Sequence, residues 1–280
     1  MKILVTGGCG FIGHSLCKRL LENGHEVHIV DNQYIGREAK IAEGAKFVGG
    51  DVRAMENISD KPYDWIYHLA AFSRVGLSYE NQHYTFSTNV DGTKSVLEYA
   101  KRNGSKVIFA SSSSVHHSVS PYSSSKRMGE ELCRFYKNGM EVDITIVRLY
   151  NVYGDGELIN SHMAALIGLW RGQFQKNYPI TIIGDGNQRR DFTHIDDTID
   201  GLLKIMESDK RHEDAWELGT GKNYSINEVA DMFINKFNCV KVYMREQKGN
   251  YKGTLRINND AIERLSWFPK DRLKEYIDSL

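Results

Sequence analysis

The sequence predicts an α/β fold in which helices cover both faces of one parallel sheet, with a smaller lobe in the C-terminal half. Short runs that are apolar throughout are typical of strands buried on both faces. These runs alternate with segments of helical periodicity as far as about residue 152, and beyond it the alternation becomes less regular. The chain has 280 residues, of which 41% are hydrophobic, so it can build a substantial core and is not a disordered chain.

The predicted elements follow in chain order. Strands are predicted over 3–6, 27–30, 47–48, 65–69, 107–110, 144–149 and 180–183, and helices over 11–22, 82–102, 123–138, 157–172 and 195–207. Asn23-Gly24 ends the first helix, and the capping box Ser225–Glu228 opens a further one. We expect residues 1–152 to form the first domain, with a return segment near 190–207, and residues 153–280 to form mainly the second lobe.

Charge and cysteine content exclude several classes of protein. Lys plus Arg and Asp plus Glu each total 36, whereas a general nucleic-acid binder usually has a basic excess. The four cysteines are scattered and form no C-x-x-C pair, a pattern that indicates reduced thiols rather than disulfides or zinc. No apolar run reaches the roughly 18 residues of a membrane helix, and the first strand leaves no room for a signal peptide. We therefore expect a soluble, cytoplasmic protein with no nucleic-acid or membrane partner.

A glycine-rich turn joins the first strand to the first helix. Gly7, Gly10 and Gly13 fit a tight turn, a close backbone approach to a pyrophosphate and close helix–strand packing. Phe11 and Ile12 begin the helix, whose N-terminus offers free N–H groups. Because the strand–turn–helix context is correct, a dinucleotide site is favoured over an ordinary glycine turn, and this indicates a Rossmann-type sheet.

An acidic residue follows the second strand. Asp31 lies 18 positions after Gly13, where a carboxylate can accept hydrogen bonds from ribose hydroxyls and would repel a 2′-phosphate. This position favours NAD over NADP, although Arg37 nearby leaves NADP open and a simple loop acid is the alternative. Asp51 and Val52 follow the third strand and are candidates to border the adenine.

Tyr122 and Lys126 are the candidate catalytic pair. They are four residues apart, so both side chains lie on one face of the helix that Pro121 suits as a start. An ammonium group and an oxidised nicotinamide both favour the phenolate, which lets Tyr122 act as a base near neutral pH. The pair follows a strand that ends at the edge where parallel sheets place active sites, whereas an isolated Tyr-x-x-x-Lys is usually a surface pattern.

Ser111–Ser114 come directly after the strand predicted over 107–110. A serine hydroxyl at this position can bond the substrate hydroxyl that loses its proton, although we expect only one or two of the four to act. A serine hydrolase is not indicated, because the glycine-flanked nucleophile elbow is missing. His116 and His117 have no third ligand at a suitable spacing, so loop histidines are favoured over a metal site.

In addition to these residues, the whole series of motifs resembles a known family. The chain resembles the extended short-chain dehydrogenase/reductases, in the nucleotide-sugar epimerase/dehydratase branch, and is most similar to UDP-glucose 4-epimerases from residue 1 to about 270. The matching stretches are Thr6–Gly13, Asp31-Asn32, Asp51-Val52, His68–Ala71, Asn89–Thr93, Ser111–Val115, Tyr122–Lys126, Arg148–Gly154, Gly184–Gly186, Arg190–Asp197 and Leu218–Gly221.

The resemblance implies roles for single residues. Ser112 matches the catalytic Ser/Thr of the family, and Tyr150 would lie near the nicotinamide. The further cofactor contacts that it implies are Asn32, Leu69, Ala70, Ala71 and, behind the active site, Asn89. The substrate contacts that it implies are Ser73, Ser112, Asn151 at the nucleotide phosphates, and Arg190.

Arg190 matches the diphosphate-binding arginine, and a guanidinium fork suits a diphosphate. The alternative is a surface salt bridge to Asp191 or Asp185. Relatives often carry Arg-Pro-Gly where this chain has Gln247–Gly249, and Lys248 or Arg245 is a candidate to replace the missing arginine.

Two departures from the family pattern bear on the reaction. Dehydratases carry an acidic pair directly after the catalytic Ser/Thr, and here these positions are Ser113 and Ser114, which argues against 4,6-dehydration. The loop 116–121 is shorter than usual in the family. Its missing residues normally border the sugar, so we expect a more open pocket and an unusual sugar.

The expected function is NAD-dependent epimerisation of a nucleotide sugar at C4, through a transient 4-keto intermediate. The alternatives are an NAD(P)-dependent 4-reductase or dehydrogenase and a non-catalytic dinucleotide sensor, and the intact Ser112, Tyr122 and Lys126 argue against the sensor. The resemblance also implies a homodimer through helices 82–102 and 123–138. Leu97, Leu132 and Phe135 are candidate contacts that core packing would explain equally well.

Overall fold

Strands and helices alternate in the computed structural model, which describes residues 1–36, 39–58, 62–117 and 119–280. The strands are β1 (Lys2–Thr6), β2 (Glu26–Val30), β3 (Lys46–Phe47), β4 (Trp65–His68), β5 (Lys106–Ser112), β6 (Ile144–Leu149), β7 (Val152–Tyr153), β8 (Ile180–Ile183), β9 (Arg189–Asp191), β10 (Thr193–His194), β11 (Ala215–Leu218), β12 (Asn223–Ser225) and β13 (Lys241–Met244). The helices are α1 (Phe11–Glu22), α2 (Val75–Glu80), α3 (Gln82–Phe86), α4 (Gly92–Asn103), α5 (Pro121–Met140), α6 (Leu166–Gln175), α7 (Ile195–Glu207), α8 (Ile226–Phe237), α9 (Asp260–Leu265) and α10 (Leu273–Ser279).

Among the described residues, seven strands form one sheet in the order β3-β2-β1-β4-β5-β6-β11, and every neighbouring pair is parallel. Successive strands lie to one side of β1 and then to the other, so the strand order reverses between β1 and β4. In such sheets the crevice at this switch point, at the carboxyl ends of the strands, is where ligands bind. The predicted Rossmann-type parallel sheet is confirmed.

Apolar side chains cover the sheet on both faces. Ile3 and Val5 of β1 face the layer of α1, α7 and α9, whereas Leu4 faces the layer of α4 and α5. Alternate residues therefore enter two separate cores, as the all-apolar strands require.

The smaller lobe has a core of its own, which includes Trp170, Phe233 and Ile277 from α6, α8 and α10. Beside these helices, β8 pairs with β13 and β9 pairs with β12. Between these elements the chain returns to the first domain, where α7 packs on α1 and β11 extends the sheet beside β6. Sequence analysis did not predict β11, because Glu217 interrupts its short apolar run.

Two predicted helices differ from the structure. The helix predicted over 82–102 contains a π-helical segment, Ser87–Asp91, between α3 and α4. The helix predicted over 157–172 is wrong, since α6 begins only at Leu166. Its glycines pack against the preceding irregular segment, and a Cβ on Gly168 would lie 2.1 Å from the Leu158 carbonyl oxygen. The apolar residues before 166 that suggested an earlier helix start therefore belong to an irregular segment that packs against α6.

Close packing between α5 and β5 depends on a glycine. A Cβ on Gly129 would lie 2.7 Å from Cζ of the buried Phe109, whereas a Cβ on Gly139 of the same helix would meet only Phe135, at 3.6 Å. Gly129→Ala should therefore lower the free energy of unfolding by about 1–3 kcal/mol. Gly139→Ala is the matched control, and it should be neutral or stabilising by up to about 1 kcal/mol. Urea unfolding measures both, and equal effects would contradict this packing account.

Candidate active site

One cavity, about 600 Å³ in volume, lies at the carboxyl ends of the strands and reaches into the smaller lobe. Most residues selected from the sequence line it. They are Gly7, Gly10, Phe11, Ile12, Gly13, Asp31, Asn32, Val52, Leu69, Ala70, Ala71, Ser73, Ser112, Tyr122, Lys126, Asn151 and Arg190. The fold thus brings together residues that are separated by more than a hundred positions.

The glycine turn leaves one end of this cavity open to a phosphate. Gly7 has a φ of +72°, and a Cβ there would lie 2.7 Å from the Ala70 backbone nitrogen. A Cβ on Gly13 would lie 2.1 Å from the Gly7 carbonyl oxygen, so only glycine allows α1 to approach β1 this closely. Gly10 is the N-cap of α1 and supplies no capping side chain. The free N–H groups and helix dipole fit the pyrophosphate of a dinucleotide.

Asp31 lies beside this turn and is held by backbone donors. Its carboxylate accepts from the Cys9 N–H at 3.0 Å and the Gln33 N–H at 2.6 Å. Burial raises the pKa of Asp31, and these two hydrogen bonds oppose the rise. The position suits ribose hydroxyls, while Arg37, on which the NADP alternative depends, lies outside the described residues.

The structure does not bring Asp51 to the cavity. Its side-chain hydrogen bond with Arg53 lowers the pKa of Asp51 to about 2, and the two groups lie 2.8 Å apart. Asn32 also donates to the Asp51 carboxylate, at 3.0 Å. The carboxylate is therefore occupied within the protein, and of the Asp51-Val52 pair only Val52 lines the cavity.

The predicted catalytic pair lies in the first turns of α5, which begins two residues earlier than predicted. Tyr122 is only 9% exposed and lines the cavity together with Ser112. Burial raises the pKa of Tyr122, whereas its interaction with Ser112 and the charge of Arg74 oppose the rise. The phenol is therefore protonated at neutral pH until a further positive charge lies beside it.

Lys126 is the second member of the pair and is 4% exposed. Its ammonium group donates to the Ala110 carbonyl oxygen at 2.6 Å and lies 4.8 Å from the centre of the Phe109 ring. Burial lowers the pKa of Lys126 to about 8. A proton held this weakly can be exchanged near neutral pH, which suits a group in a proton relay.

The serine cluster divides into two environments. Ser112 Oγ accepts from the Ser114 N–H at 3.2 Å and from Ser114 Oγ at 3.0 Å. Ser111 instead donates to the buried Glu130 at 2.6 Å. Both serines line the cavity, and Ser112 is held by Ser114 whereas Ser111 is bonded to the buried Glu130.

Asn89 lies behind the cavity, as the resemblance implied, and does not line it. Its amide nitrogen donates to Ser125 Oγ at 2.9 Å and to the Phe72 carbonyl at 3.1 Å, and its amide oxygen accepts from the Phe72 N–H. The π-helical segment carries Asn89 to this position. Asn89 thus connects α5 to the cavity wall at residue 72.

Tyr150 is not where the resemblance placed it. The side chain is fully buried, and its hydroxyl donates to Glu217 at 2.5 Å, away from the cavity. Successive side chains of extended backbone point to opposite sides, and Leu149 lines the cavity instead. Tyr150 therefore packs in the interior of the protein and does not line the cavity.

His116 also binds Glu217, with Nε2 2.9 Å from the carboxylate. This contact secures the start of the shortened loop, which contains Ser118, a residue outside the described part of the chain. Across the described ranges no cluster of His, Cys, Asp and Glu could hold a metal ion, and His116 and His117 are loop histidines.

Arg190 lines the cavity from β9 of the smaller lobe. Its guanidinium donates to Asn250 at 3.0 Å and stacks 3.9 Å above the Tyr251 ring. The alternative salt bridge to Asp191 is not formed, because that carboxylate accepts from the backbone N–H groups of Thr220 and Gly221. The guanidinium therefore has no carboxylate partner among the described residues and suits a diphosphate.

The two remaining predictions for the substrate phosphates concern Asn151 and the 245–249 segment. Asn151 lines the cavity with a φ of +28°, and its amide donates to the Asp191 carbonyl at 2.8 Å. Lys248 lines the cavity and Arg245 does not, so Lys248 is the better substitute for the missing phosphate-binding arginine.

Several polar residues of the cavity were not predicted from the sequence, among them Arg74, Glu157 and Tyr251. Arg74 donates to the Met163 carbonyl at 2.9 and 2.5 Å. Burial raises the pKa of Glu157 to about 7, although Arg171 lies 3.5 Å away. Each is a single polar residue in a loop, and no spacing in the sequence connects it to the others.

Comparisons with known proteins agree with this geometry. A sequence model of the NAD dependent epimerase/dehydratase family matches residues 3–219. The chain is 34% identical over 297 residues to a putative UDP-glucose 4-epimerase of Methanocaldococcus jannaschii, covering 98% of this chain and 95% of that protein. It is 30% identical to UDP-glucuronic acid decarboxylase 1 of Arabidopsis thaliana, covering 98% of this chain and 68% of that protein.

A solved structure shows the same fold. The UDP-glucuronic acid 4-epimerase of Bacillus cereus, solved with UDP-glucuronic acid and NAD, superposes with a TM-score of 0.88 at 28% identity, covering 99% and 97% of the two chains.

In the described part of our chain, no helix is long and apolar enough to cross a membrane. The chain belongs to the NAD dependent epimerase/dehydratase family of nucleotide-sugar enzymes, with NAD as its cofactor.

Proposed function

We propose that the protein epimerises a nucleotide sugar at C4. The observation that carries this proposal is the buried Tyr122 phenol, which lines one cavity together with Ser112 and with Lys126 one turn further along α5. In the same cavity, Arg190 offers a guanidinium that would bind the diphosphate of the substrate. The relative and the neighbouring structure that are named 4-epimerases support the same reaction.

The proposed mechanism assigns a task to each side chain. Ser112 holds the C4 hydroxyl, and Tyr122 takes its proton and later returns one to the 4-keto sugar. Lys126 keeps a positive charge near the phenol and favours its ionised form. The glycine turn and Asp31 would hold NAD, which would supply reversible hydride chemistry at C4. Arg190 holds the diphosphate while the sugar turns over.

Other reactions of the family differ in their products. Ser113 and Ser114 supply no acid to expel water, which disfavours 4,6-dehydration. A 4-reductase or dehydrogenase would consume or produce NADH in proportion to sugar, and an epimerase would not. Decarboxylation, the reaction named for several relatives, would release CO₂ from a uronic acid.

We also propose a cytoplasmic homodimer that forms through α4 and α5. Phe135 and Met128 are 54% and 51% exposed on α5, although Leu97 is fully buried in the core and is not available to a partner. Leu132 is partly buried against that core. Exposed apolar side chains on a helix commonly mark an interface.

Tyr122→Phe tests the catalytic assignment. Loss of the phenol should lower the rate of nucleotide-sugar interconversion about 100- to 10,000-fold, because the proposed mechanism assigns the proton transfer to this group. The products from UDP-glucose, UDP-galactose, their N-acetyl forms and UDP-glucuronic acid would be separated by chromatography. Tyr136→Phe, also buried on α5, is the control. No interconversion by the wild type, or a Tyr122→Phe variant as active as the wild type, would refute the proposal.

Lys126→Met should stabilise the protein while inactivating it. The pKa of Lys126 is about 8 in the fold and 10.5 in the unfolded chain, so the unfolded state binds more protons between these values. Lys126 therefore destabilises the native state below pH 8, and this effect disappears as the pH rises to 10.5. At pH 7 we expect the variant to gain about 1–3 kcal/mol in urea unfolding, since the lost bond to Ala110 offsets part of the gain.

The exposed Lys18→Met is the control, with an expected change within about 0.5 kcal/mol. A gain for Lys126→Met that stays constant from pH 7 to 10 would show that burial of the charge is not its cause.

Phe135→Glu should weaken the dimer, because a carboxylate would have to be desolvated at the interface. Sedimentation velocity at micromolar concentration would show a shift from dimer to monomer. Phe268→Glu replaces a residue that is 69% exposed outside α4 and α5, and it should leave the dimer intact. A monomeric wild type, or equal behaviour of the two variants, would rule out this interface.

A further inference from the structure

Arg74 lies directly before α2 in the wall of the cavity, and only some of its guanidinium N–H groups have hydrogen-bond acceptors. Its Nε and Nη2 atoms both donate to the Met163 carbonyl oxygen, at 2.9 and 2.5 Å. Among residues that the structure describes, no acceptor bonds its Nη1 atom. One edge of the guanidinium is therefore fixed on the protein, and the edge formed by Nη1 and Nη2 remains open. That edge has the geometry for a bidentate bond to a carboxylate.

Within the described residues, no carboxylate forms an ion pair with Arg74. The acid whose charge acts on Arg74 is Glu157, whose own ion pair is with Arg171 at 3.5 Å. Burial lowers the pKa of Arg74 to about 10, so the guanidinium is still charged at neutral pH. Arg74 is partly buried, and a charge withdrawn from solvent without a partner is destabilising, so such charges are retained mainly where a site binds an anion.

The other cations of the cavity already have tasks. Within the described lining these are Lys126 of the catalytic pair, and Arg190 and Lys248, which are the candidates to bind the diphosphate. A dinucleotide and a nucleoside diphosphate with a neutral hexose need no fourth cation next to the reacting carbon. A neutral sugar would therefore leave the charge of Arg74 without an anionic partner.

The position of Arg74 selects one part of the substrate. Its charge acts on the Tyr122 phenol, and the two side chains share the cavity wall. If Tyr122 acts on the C4 hydroxyl, the substituents on the two neighbouring ring carbons, C3 and C5, lie closest to it. The C3 substituent is a hydroxyl in both kinds of sugar, whereas the C5 substituent is a hydroxymethyl group in a hexose and a carboxylate in a uronic acid. The C5 carboxylate is therefore the anionic group beside C4.

We propose that Arg74 binds the C5 carboxylate of a nucleotide-linked uronic acid, and that the enzyme prefers such a sugar to a neutral hexose. This inference rests on the proposed function, because it assumes that the C4 carbon lies at Tyr122. The open edge of the guanidinium forms two charge-assisted hydrogen bonds with the carboxylate. The Met163 carbonyl holds the guanidinium in place before the substrate arrives, so little side-chain entropy is lost on binding.

Isothermal titration calorimetry of the NAD-loaded protein tests the inference with UDP-glucuronic acid and UDP-glucose as probes. The wild type should bind UDP-glucuronic acid more tightly. Arg74→Met keeps most of the side-chain length and should weaken that binding roughly 10- to 100-fold, with a much smaller effect on UDP-glucose. Arg74→Lys restores the charge without the fork and should recover part of the affinity. Arg102→Met, at the end of α4, is the matched control and should change neither affinity.

Equal affinity of the wild type for the two sugars, or an equal loss for both in Arg74→Met, would overturn the inference. Melting temperatures of the variants separate a binding defect from misfolding, and a misfolded Arg74→Met leaves the wild-type preference and Arg74→Lys as the deciding results. Turnover separates this inference from the proposed function. Epimerisation of UDP-glucose without any preference for the uronic acid would refute the role of Arg74 alone. Tight binding of UDP-glucuronic acid without epimerisation would refute the proposed reaction alone.

Discussion

A buried guanidinium joins the helix that carries the catalytic pair to the sheet beneath it. Arg148 of β6 donates to both oxygens of Glu130 on α5, at 2.9 and 2.7 Å, and to Glu217 of β11 at 3.0 Å. All three side chains are at most 6% exposed. Burial alone would lower the pKa of Arg148, but its bonds and charge interaction with Glu130 raise it well above the usual range. Removing one partner from such a network leaves a buried charge unpaired, which typically destabilises a protein by about 3–5 kcal/mol.

This network fixes the parts of the site that local sequence does not. Glu130 lies one turn beyond Lys126 on α5, so its bond to Arg148 sets how far the helix projects over the sheet. Glu217 binds Tyr150 and His116 as well, and thereby connects the return strand β11 to the loop that precedes α5. The phenol and the ammonium group therefore have defined positions before any ligand enters. Such preorganisation is what electrostatic catalysis requires.

Sequence analysis predicted those features that depend on neighbouring residues. The glycine turn, the Tyr122–Lys126 spacing and the apolar strands are local patterns, and the structure has each of them at its predicted place. Features that depend on contacts between distant segments were missed. Glu217 made β11 appear too polar for a core strand, and its partners Arg148, His116 and Tyr150 explain its burial. Arg74 lacked any motif, because its significance depends on its proximity to Tyr122 in the fold.

The central claim is that the hydrogen leaving C4 returns to the same carbon of the same sugar. A nucleotide sugar carrying deuterium at C4, incubated with the NAD-loaded enzyme, tests this most directly when its product is analysed by mass spectrometry and NMR. The account predicts an epimer that retains deuterium at C4, without net formation of NADH. Loss of the label to solvent or to free cofactor, or a sugar whose oxidation state has changed, would contradict it.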